Sequence, residues 1–339
     1  MAFEGFPLVV GWELTLRCNL RCEHCASSAG RARQRELSVL EALDICEQLP
    51  ALLVQEVDLT GGEPLLQPYW PEVANRLVDL GVKTKLVTNG VLLQDNAVRI
   101  ADVGIRAIAI SIDGLENTHD QNRKFPGLFQ RILKGIDAAS RAGLSVAAIT
   151  AVHDGNLGEL EELYTLLSDV GVRQWQVQPT FALGRALGRL ALSSDTYLSL
   201  GQFIADCRNR QDQSGVEVIA ADGVGYCHSP SVRAKPWTGC GAGLASCGIT
   251  SEGRIKGCLS LPDSLVEGDL RERALWDIWF AEESFVTNRR FSRGMLGEHC
   301  KHCQHGDLCK GGCWVMSYAA TGQAHNNPYC FSRLLAATS

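Results

Sequence analysis

Between residues 8 and 180 the chain alternates short, nearly continuous apolar runs with longer stretches whose apolar positions recur at helical spacing. The runs "LVVGWELT" (8–15), "EVDLT" (56–60), "KTKLVT" (83–88), "IRAIAISI" (105–112), "LSVAAITAV" (144–152) and "RQWQVQP" (173–179) read as strands. After a Ser38 cap, Val39, Ala42, Leu43, Cys46 and Leu49 form one helical face, and further helices are predicted at about 68–80, 94–102, 127–142 and 158–170. Strands this apolar are buried on both faces, which calls for a parallel sheet covered by helices. Six β-α units, too few to close an eight-stranded barrel, predict an α/β fold with a partial (β/α)6 TIM-like barrel. The strand ends, where such sheets carry their chemistry, hold "TGGEP", "TNG", "SIDG" and "HDGN". A further helix (194–211) and strand (216–220) follow. From about 225 the texture changes to Gly, Cys and aromatic residues with short elements. The expected division is a barrel over 1–215 and a small cysteine-rich domain over 216–339.

Composition narrows the function classes. A formal net charge of −6 argues against a nucleic-acid partner. No 18-residue apolar run predicts a membrane span, and the first residues lack the pattern of a signal peptide. The expected compartment is the cytoplasm, where thiols stay reduced. Fourteen cysteines then read as metal ligands rather than disulfides.

"CNLRCEHC" (18–25) places Cys18, Cys22 and Cys25 within eight residues. A closed zinc site takes four ligands, and no fourth follows nearby. A four-iron cluster held by three thiolates keeps one iron open for a ligand. A partial zinc site is the alternative at this spacing. Gly61 and Gly62, at the end of the second strand, allow close backbone approach, and Glu63 offers an acceptor for an ammonium group. Open iron and amine acceptor together describe a chelated amino acid.

Cys18-x3-Cys22-x2-Cys25 with His24 before the last cysteine, "GGEP" (61–64) and the six β-α units resemble the radical S-adenosylmethionine (SAM) superfamily. The resemblance implies that SAM chelates the open iron of a 4Fe-4S cluster and yields a 5′-deoxyadenosyl radical that takes hydrogen from a substrate C–H bond. By the same resemblance Thr60, Gly61, Gly62 and Glu63 hold the methionine moiety, while Ser111 and Asp113 face the ribose. A helix cap is the competing reading of Ser111 and Asp113. Arg123 reads equally well as part of a pattern common in relatives or as a surface charge.

The C-terminal stretch resembles the SPASM domain through Cys240, Gly253, Cys258, Cys300, Cys303, Cys309, Cys313 and Cys330, with Cys247 as an eighth thiol. That resemblance implies two auxiliary 4Fe-4S clusters, one on Cys240, Cys247, Cys258 and Cys313, the other on Cys300, Cys303, Cys309 and Cys330. With the SAM-binding cluster the expected total is three. Full thiolate sets favour electron transfer over direct substrate ligation; spacing alone leaves two structural zincs open. Cys46 and Cys207 fall on apolar helical faces and read as core. Cys227, in "DGVGYCHSP", is a candidate hydrogen-atom donor, with a small buried thiol as the alternative.

The expected function is a radical SAM oxidoreductase or epimerase-type enzyme maturing a ribosomally made peptide by crosslinking, epimerisation or oxidation. The alternatives are a sugar, aminocyclitol or nucleoside epimerase or dehydrogenase in antibiotic biosynthesis and, more remotely, a non-enzymatic metal-stapled scaffold. Expected partners are a flavodoxin or ferredoxin as electron donor and, since about seven residues precede the first strand, a separate leader-peptide-binding protein.

Overall fold

The computed structural model describes residues 5–188, 190, 192–210, 215–226, 231–233 and 235–338; Cys227 lies outside them. Strands β1 (Val9–Thr15), β2 (Glu56–Gly61), β3 (Lys83–Thr88), β4 (Ala107–Ser111), β5 (Ser145–Val152), β6 (Gln174–Pro179) and β7 (Glu217–Ala220) lie side by side in chain order, all parallel. Helices α1 (Val39–Gln48), α2 (Trp70–Asp79), α3 (Leu93–Asp102), α4 (Glu116–Arg123), α5 (Leu128–Arg141), α6 (Leu160–Asp169) and α7 (Ser194–Asn209) fill the crossovers. Ser38 caps α1 in a reciprocal box with Glu41, as its sequence position suggests. The expected helix at 94–102 begins at Leu93, and the one at 158–170 occupies Leu160–Asp169 after a short 3-10 turn. α4, "ENTHDQNR", was not expected, because its polar composition carries no apolar period.

The strands are less completely covered than their apolar texture suggests. Along β3, Thr84, Leu86 and Thr88 are buried while Lys85 and Val87 are half-buried, and β4 and β6 alternate similarly. The buried set packs under the helices with Trp70, Leu77, Ile100 and Ile136. The half-buried set faces the open interior of the barrel, where the candidate site lies.

The cysteine-rich region does not stand apart from this sheet. β8 (Ser246–Ile249) pairs in parallel with β1, and β9 (Arg254–Lys256) and β10 (Val266–Asp269) continue as antiparallel strands. The result is one ten-stranded sheet ordered β10-β9-β8-β1-β2-β3-β4-β5-β6-β7. The amphipathic stretch 268–279 divides, with Gly268 and Asp269 in β10 and only Leu275–Phe280 helical. Cys46 and Cys207 are both 0% exposed in the core. Among the described residues no helix is long and apolar enough to cross a membrane.

Candidate active site

The segment after β1 carries the first three cysteines across the mouth of the barrel. Leu20 N donates to Cys18 Sγ at 3.4 Å, Asn89 Nδ2 to the same sulfur at 3.6 Å, and Ala29 N to Cys25 Sγ at 3.4 Å. The three thiols sense one another electrostatically, and burial pushes Cys22 up to about 11. Unliganded, Cys18 and Cys22 stay protonated; a bound metal centre is what makes a cysteine ligand a thiolate. They line a cavity of about 280 Å³ together with Thr60, Gly61, Gly62, Ser111, Asp113 and Arg123.

Gly61 and Gly62 serve the chain itself. Gly61 has φ +136°, and a Cβ on Gly62 would stand 2.6 Å from Leu16 O and closer still to Arg17 O. The strand end therefore receives the backbone leading into the three-cysteine loop, held by Gly62 N to Thr15 O and Glu63 N to Arg17 O, each 2.8 Å. Glu63 has no exposed surface. Its Oε1 accepts from Leu65 N and Thr88 Oγ1, and its Oε2 from Asn89 N at 2.8 Å, so it ties the end of β2 to that of β3. Burial without a cationic partner holds its carboxyl up, at about 7.

Asp113 is equally enclosed. Its Oδ2 accepts from Arg123 Nε at 2.7 Å and its Oδ1 from Ala151 N at 3.1 Å. Although burial alone would raise it, the Arg123 guanidinium keeps its carboxyl well below the usual range. His24 Nε2 lies 3.4 Å away, but burial lowers the imidazole to about 4, so this contact is not an ion pair at neutral pH. Arg123 is buried and charged beside Cys22, not on the surface, and Asp113 acts on the cavity by holding it. Ser111 lines the cavity half-buried.

The cavity wall also holds polar atoms with nothing to bond. His24 Nδ1 and Thr180 Oγ1 are buried without a hydrogen-bond partner, and both residues border the cavity. Two waiting polar groups, the charged Arg123 and three thiols at one opening fit a polar, charged cofactor beside an iron–sulfur cluster.

Two contributors escaped the sequence. Arg185, in the turn after β6, donates from Nε to Cys22 O and from Nη1 to Ala29 O, both at 2.8 Å, while its own N–H reaches Cys25 O at 3.0 Å. Gly184 adopts φ +56°, and a Cβ there would meet Cys25 O at 2.6 Å. The only local signal was a Gly-Arg pair following a strand. The second contributor is the 259–263 segment, which roofs a cavity of about 590 Å³ sharing Ala26, Thr60, Gly61 and Ser260 with the first. Lys256, 2% exposed, fixes that roof by donating to Leu259 O, Leu261 O and Asp263 Oδ1 at 2.9, 2.6 and 3.2 Å. Arg33 joins Asp263 to the buried Glu13 of β1. A separate groove of about 560 Å³ between α7 and the segment around Phe331 has no titratable side chain in its walls.

Of the later cysteines, Cys300, Cys303, Cys309 and Cys330 border one cavity of about 240 Å³. Among the others, Cys258 bears electrostatically on both Cys240 and Cys313, and Cys240 on Cys313. Cys247 is not brought to them. It pairs with Val10 in the sheet, and Ile249 with Trp12, so its side chain shares their face. The Cys258–Leu259 backbone packs on the opposite face, where a Cβ on Gly248 would meet Leu259 N at 2.7 Å. Sheet register overrides the proximity suggested by spacing. All thirteen described cysteines are free thiols, and among the described residues no three His, Cys, Asp or Glu side chains converge as a single-ion site.

Profiles of two families match the chain: the radical SAM superfamily over residues 12–167 and an iron–sulfur cluster-binding domain, SPASM, over 240–304. The AdoMet-dependent heme synthase of Methanosarcina barkeri is 29% identical, over 98% of this chain and 99% of that one. The mycofactocin maturase MftC of Mycobacterium tuberculosis is 27% identical, over 92% and 79%. Among solved structures, SuiB of Streptococcus suis bound to S-adenosylmethionine superposes with a TM-score of 0.78 at 18% identity, over 96% of this chain and 78% of that one, a likeness of fold.

Proposed function

The chain belongs to the radical SAM superfamily and carries a SPASM domain, and on that premise we propose that it matures a peptide by hydrogen abstraction beneath the 259–263 roof. Its cofactors are SAM and 4Fe-4S clusters, as these two domains imply. Together, when bound, they supply a 5′-deoxyadenosyl radical able to take hydrogen from an unactivated C–H bond. Cys18, Cys22 and Cys25 would hold the SAM-binding cluster, with Thr60 to Gly62, Ser111, Thr180 and His24 around SAM. Arg123, oriented by Asp113, brings positive charge to the cavity. Glu63 acts by fixing the strand ends. Phe181, Leu183, Leu259 and Leu261 screen the two cavities from water.

One observation carries the substrate reading. The larger cavity opens from the SAM cavity, has Leu and Pro walls, and has its cations already engaged: Arg33 by Glu13 and Asp263, Lys256 by two carbonyls and Asp263. Such a space suits an uncharged side chain of an extended substrate. MftC, a maturase by name, supports the peptide class. The second reading is a tetrapyrrole, favoured by the end-to-end match to a heme synthase. A polycarboxylate ring asks for free cations that this cavity does not offer. A flavodoxin or ferredoxin would deliver the electron, and a separate protein would present the peptide's leader.

The test is anaerobic turnover with SAM and a reductant, offering in parallel a precursor peptide encoded beside this gene and an iron porphyrin bearing propionates. A mass change in the peptide with stoichiometric 5′-deoxyadenosine supports the proposal. Turnover of the porphyrin alone replaces it with the second reading.

A further inference from the structure

The "TNG" turn after β3 brings a side-chain amide to the first three thiols. Asn89 is buried and borders the cavity that Cys18, Cys22 and Cys25 line. Its backbone N–H donates to Glu63 Oε2 at 2.8 Å, which ties the residue to the end of β2. Its Oδ1 accepts from Val91 N at 3.0 Å, and this bond settles which end of the amide carries the hydrogens. Nδ2 then has two hydrogens to place. One goes to Asn19 Oδ1 at 2.8 Å, and the other points at Cys18 Sγ at 3.6 Å. Gly90 keeps the turn tight: it adopts φ +85°, and a Cβ there would meet Ile132 Cγ1 at 2.7 Å. The fold, not chance rotation, therefore aims this N–H at the sulfur.

The three sulfurs are not treated alike. Cys18 Sγ receives Leu20 N as well as Asn89 Nδ2. Cys25 Sγ receives Ala29 N and lies 3.4 Å from the Ser27 hydroxyl. Among the described residues, Asn89 supplies the one side-chain N–H on any of the three. Burial raises the Cys18 thiol, and the bonds from Leu20 and Asn89 oppose that rise.

We infer that Asn89 is a positioning residue that acts through Cys18: its N–H, held on the sulfur, makes the SAM-binding iron–sulfur centre easier to reduce. The inference rests on the radical SAM reading and deepens it. One electron comes from an external one-electron carrier, which is oxidised as the centre is reduced, and no bond of Asn89 forms or breaks. The added negative charge spreads onto the ligating sulfurs, and hydrogen bonds to those sulfurs help set the potential. A donor already aimed at one sulfur stabilises the reduced state more than the oxidised state, so the potential rises. The contact joins residues 71 positions apart and exists because the end of β3 meets the three-cysteine loop.

The test is an EPR-monitored redox titration of the full-length protein, reconstituted with iron and sulfide without oxygen. The signal followed is the one that later addition of SAM perturbs, and iron content and melting temperature are measured on the same samples. Asn89→Asp keeps the size of the side chain and an acceptor for Val91 N but turns an oxygen toward Cys18. Asn89→Ala removes the donor and adds no charge. In both, the reduced-to-oxidised ratio at a given potential should fall roughly three- to tenfold, a drop of about 30–60 mV at 59 mV per decade. Asn19→Ala removes the other partner of the amide, leaves Cys18 its N–H, and should keep the wild-type potential. A wild-type potential in Asn89→Ala with full iron content overturns the inference. An equal drop in Asn19→Ala does so too, because it traces the effect to the shape of the loop. If both Asn89 variants lose the first cluster's iron while wild type keeps it, Asn89 is a structural support and the inference fails. Wild-type protein with no signal that responds to SAM defeats the family reading instead.

Discussion

Arg185→Ala tests whether the turn after β6 holds the cluster loop in its working shape. The guanidinium spans two carbonyls of that loop, Cys22 O and Ala29 O, at 2.8 Å each. A hydrogen bond from a charged donor contributes about 1.5–3 kcal/mol. The side chain is half-buried, so the low end applies and the pair is worth about 2–3 kcal/mol. If that energy goes into closing the loop, its loss weakens SAM binding by roughly thirty- to a hundred-and-fiftyfold. Arg185→Lys should fall between, because a single ammonium cannot fork to both carbonyls. The assay is SAM titration of the reconstituted, reduced protein by EPR, with iron content and melting temperature measured alongside. Native SAM affinity in an Arg185→Ala protein with full iron content would refute the reasoning.

Gly62→Ala places a methyl 2.6 Å from Leu16 O and should expel the cluster loop from the strand end, so that reconstitution yields about a third less iron while the chain stays folded by circular dichroism. Lys256→Met removes three hydrogen bonds to the roof segment, costs about 2–3 kcal/mol of stability by denaturant titration, and should raise substrate KM at least tenfold while uncoupled SAM cleavage stays within about twofold. The Glu63 carboxyl, held at about 7 by burial against 4.5 in the unfolded chain, gives a pH-dependent term. Its contribution is complete below pH 4.5 and is lost as pH rises through 7, a difference of about 3 kcal/mol. Urea titrations of the cluster-free protein between pH 5 and 8 should show this decline, and Glu63→Gln should flatten it; an equal slope in both proteins contradicts the burial argument.

The barrel strands and the three-cysteine motif were legible because each is written locally. β3 runs from Lys83 to Thr88, as its apolar pattern predicts, and "CNLRCEHC" is contiguous. What the sequence could not show depends on partners far along the chain. β8, β9 and β10 are four, three and four residues long, with a glycine inside β8 and β10, and too short for any period to emerge. Arg185 bonds a carbonyl 163 residues away. The side of the sheet on which Cys247 falls is decided by pairing with Val10 rather than by distance from Cys240 or Cys258. Glu63 is an acceptor, as its residue type suggests, but its acceptors are spent on neighbouring backbone and Thr88. Arg123 belonged to a helix with no apolar face to announce it.

Cys18, Cys22 and Cys25 line one cavity, and the proposal on which the functional account turns is that a cluster held there keeps one iron for SAM. Hyperfine spectroscopy of the reduced, reconstituted protein with SAM labelled with nitrogen-15 in its amino group measures it most directly. The account predicts coupling of that nitrogen to the cluster, absent in Cys22→Ala. An iron–sulfur signal that shows no coupling to the labelled amine, or the same coupling without Cys22, would contradict it.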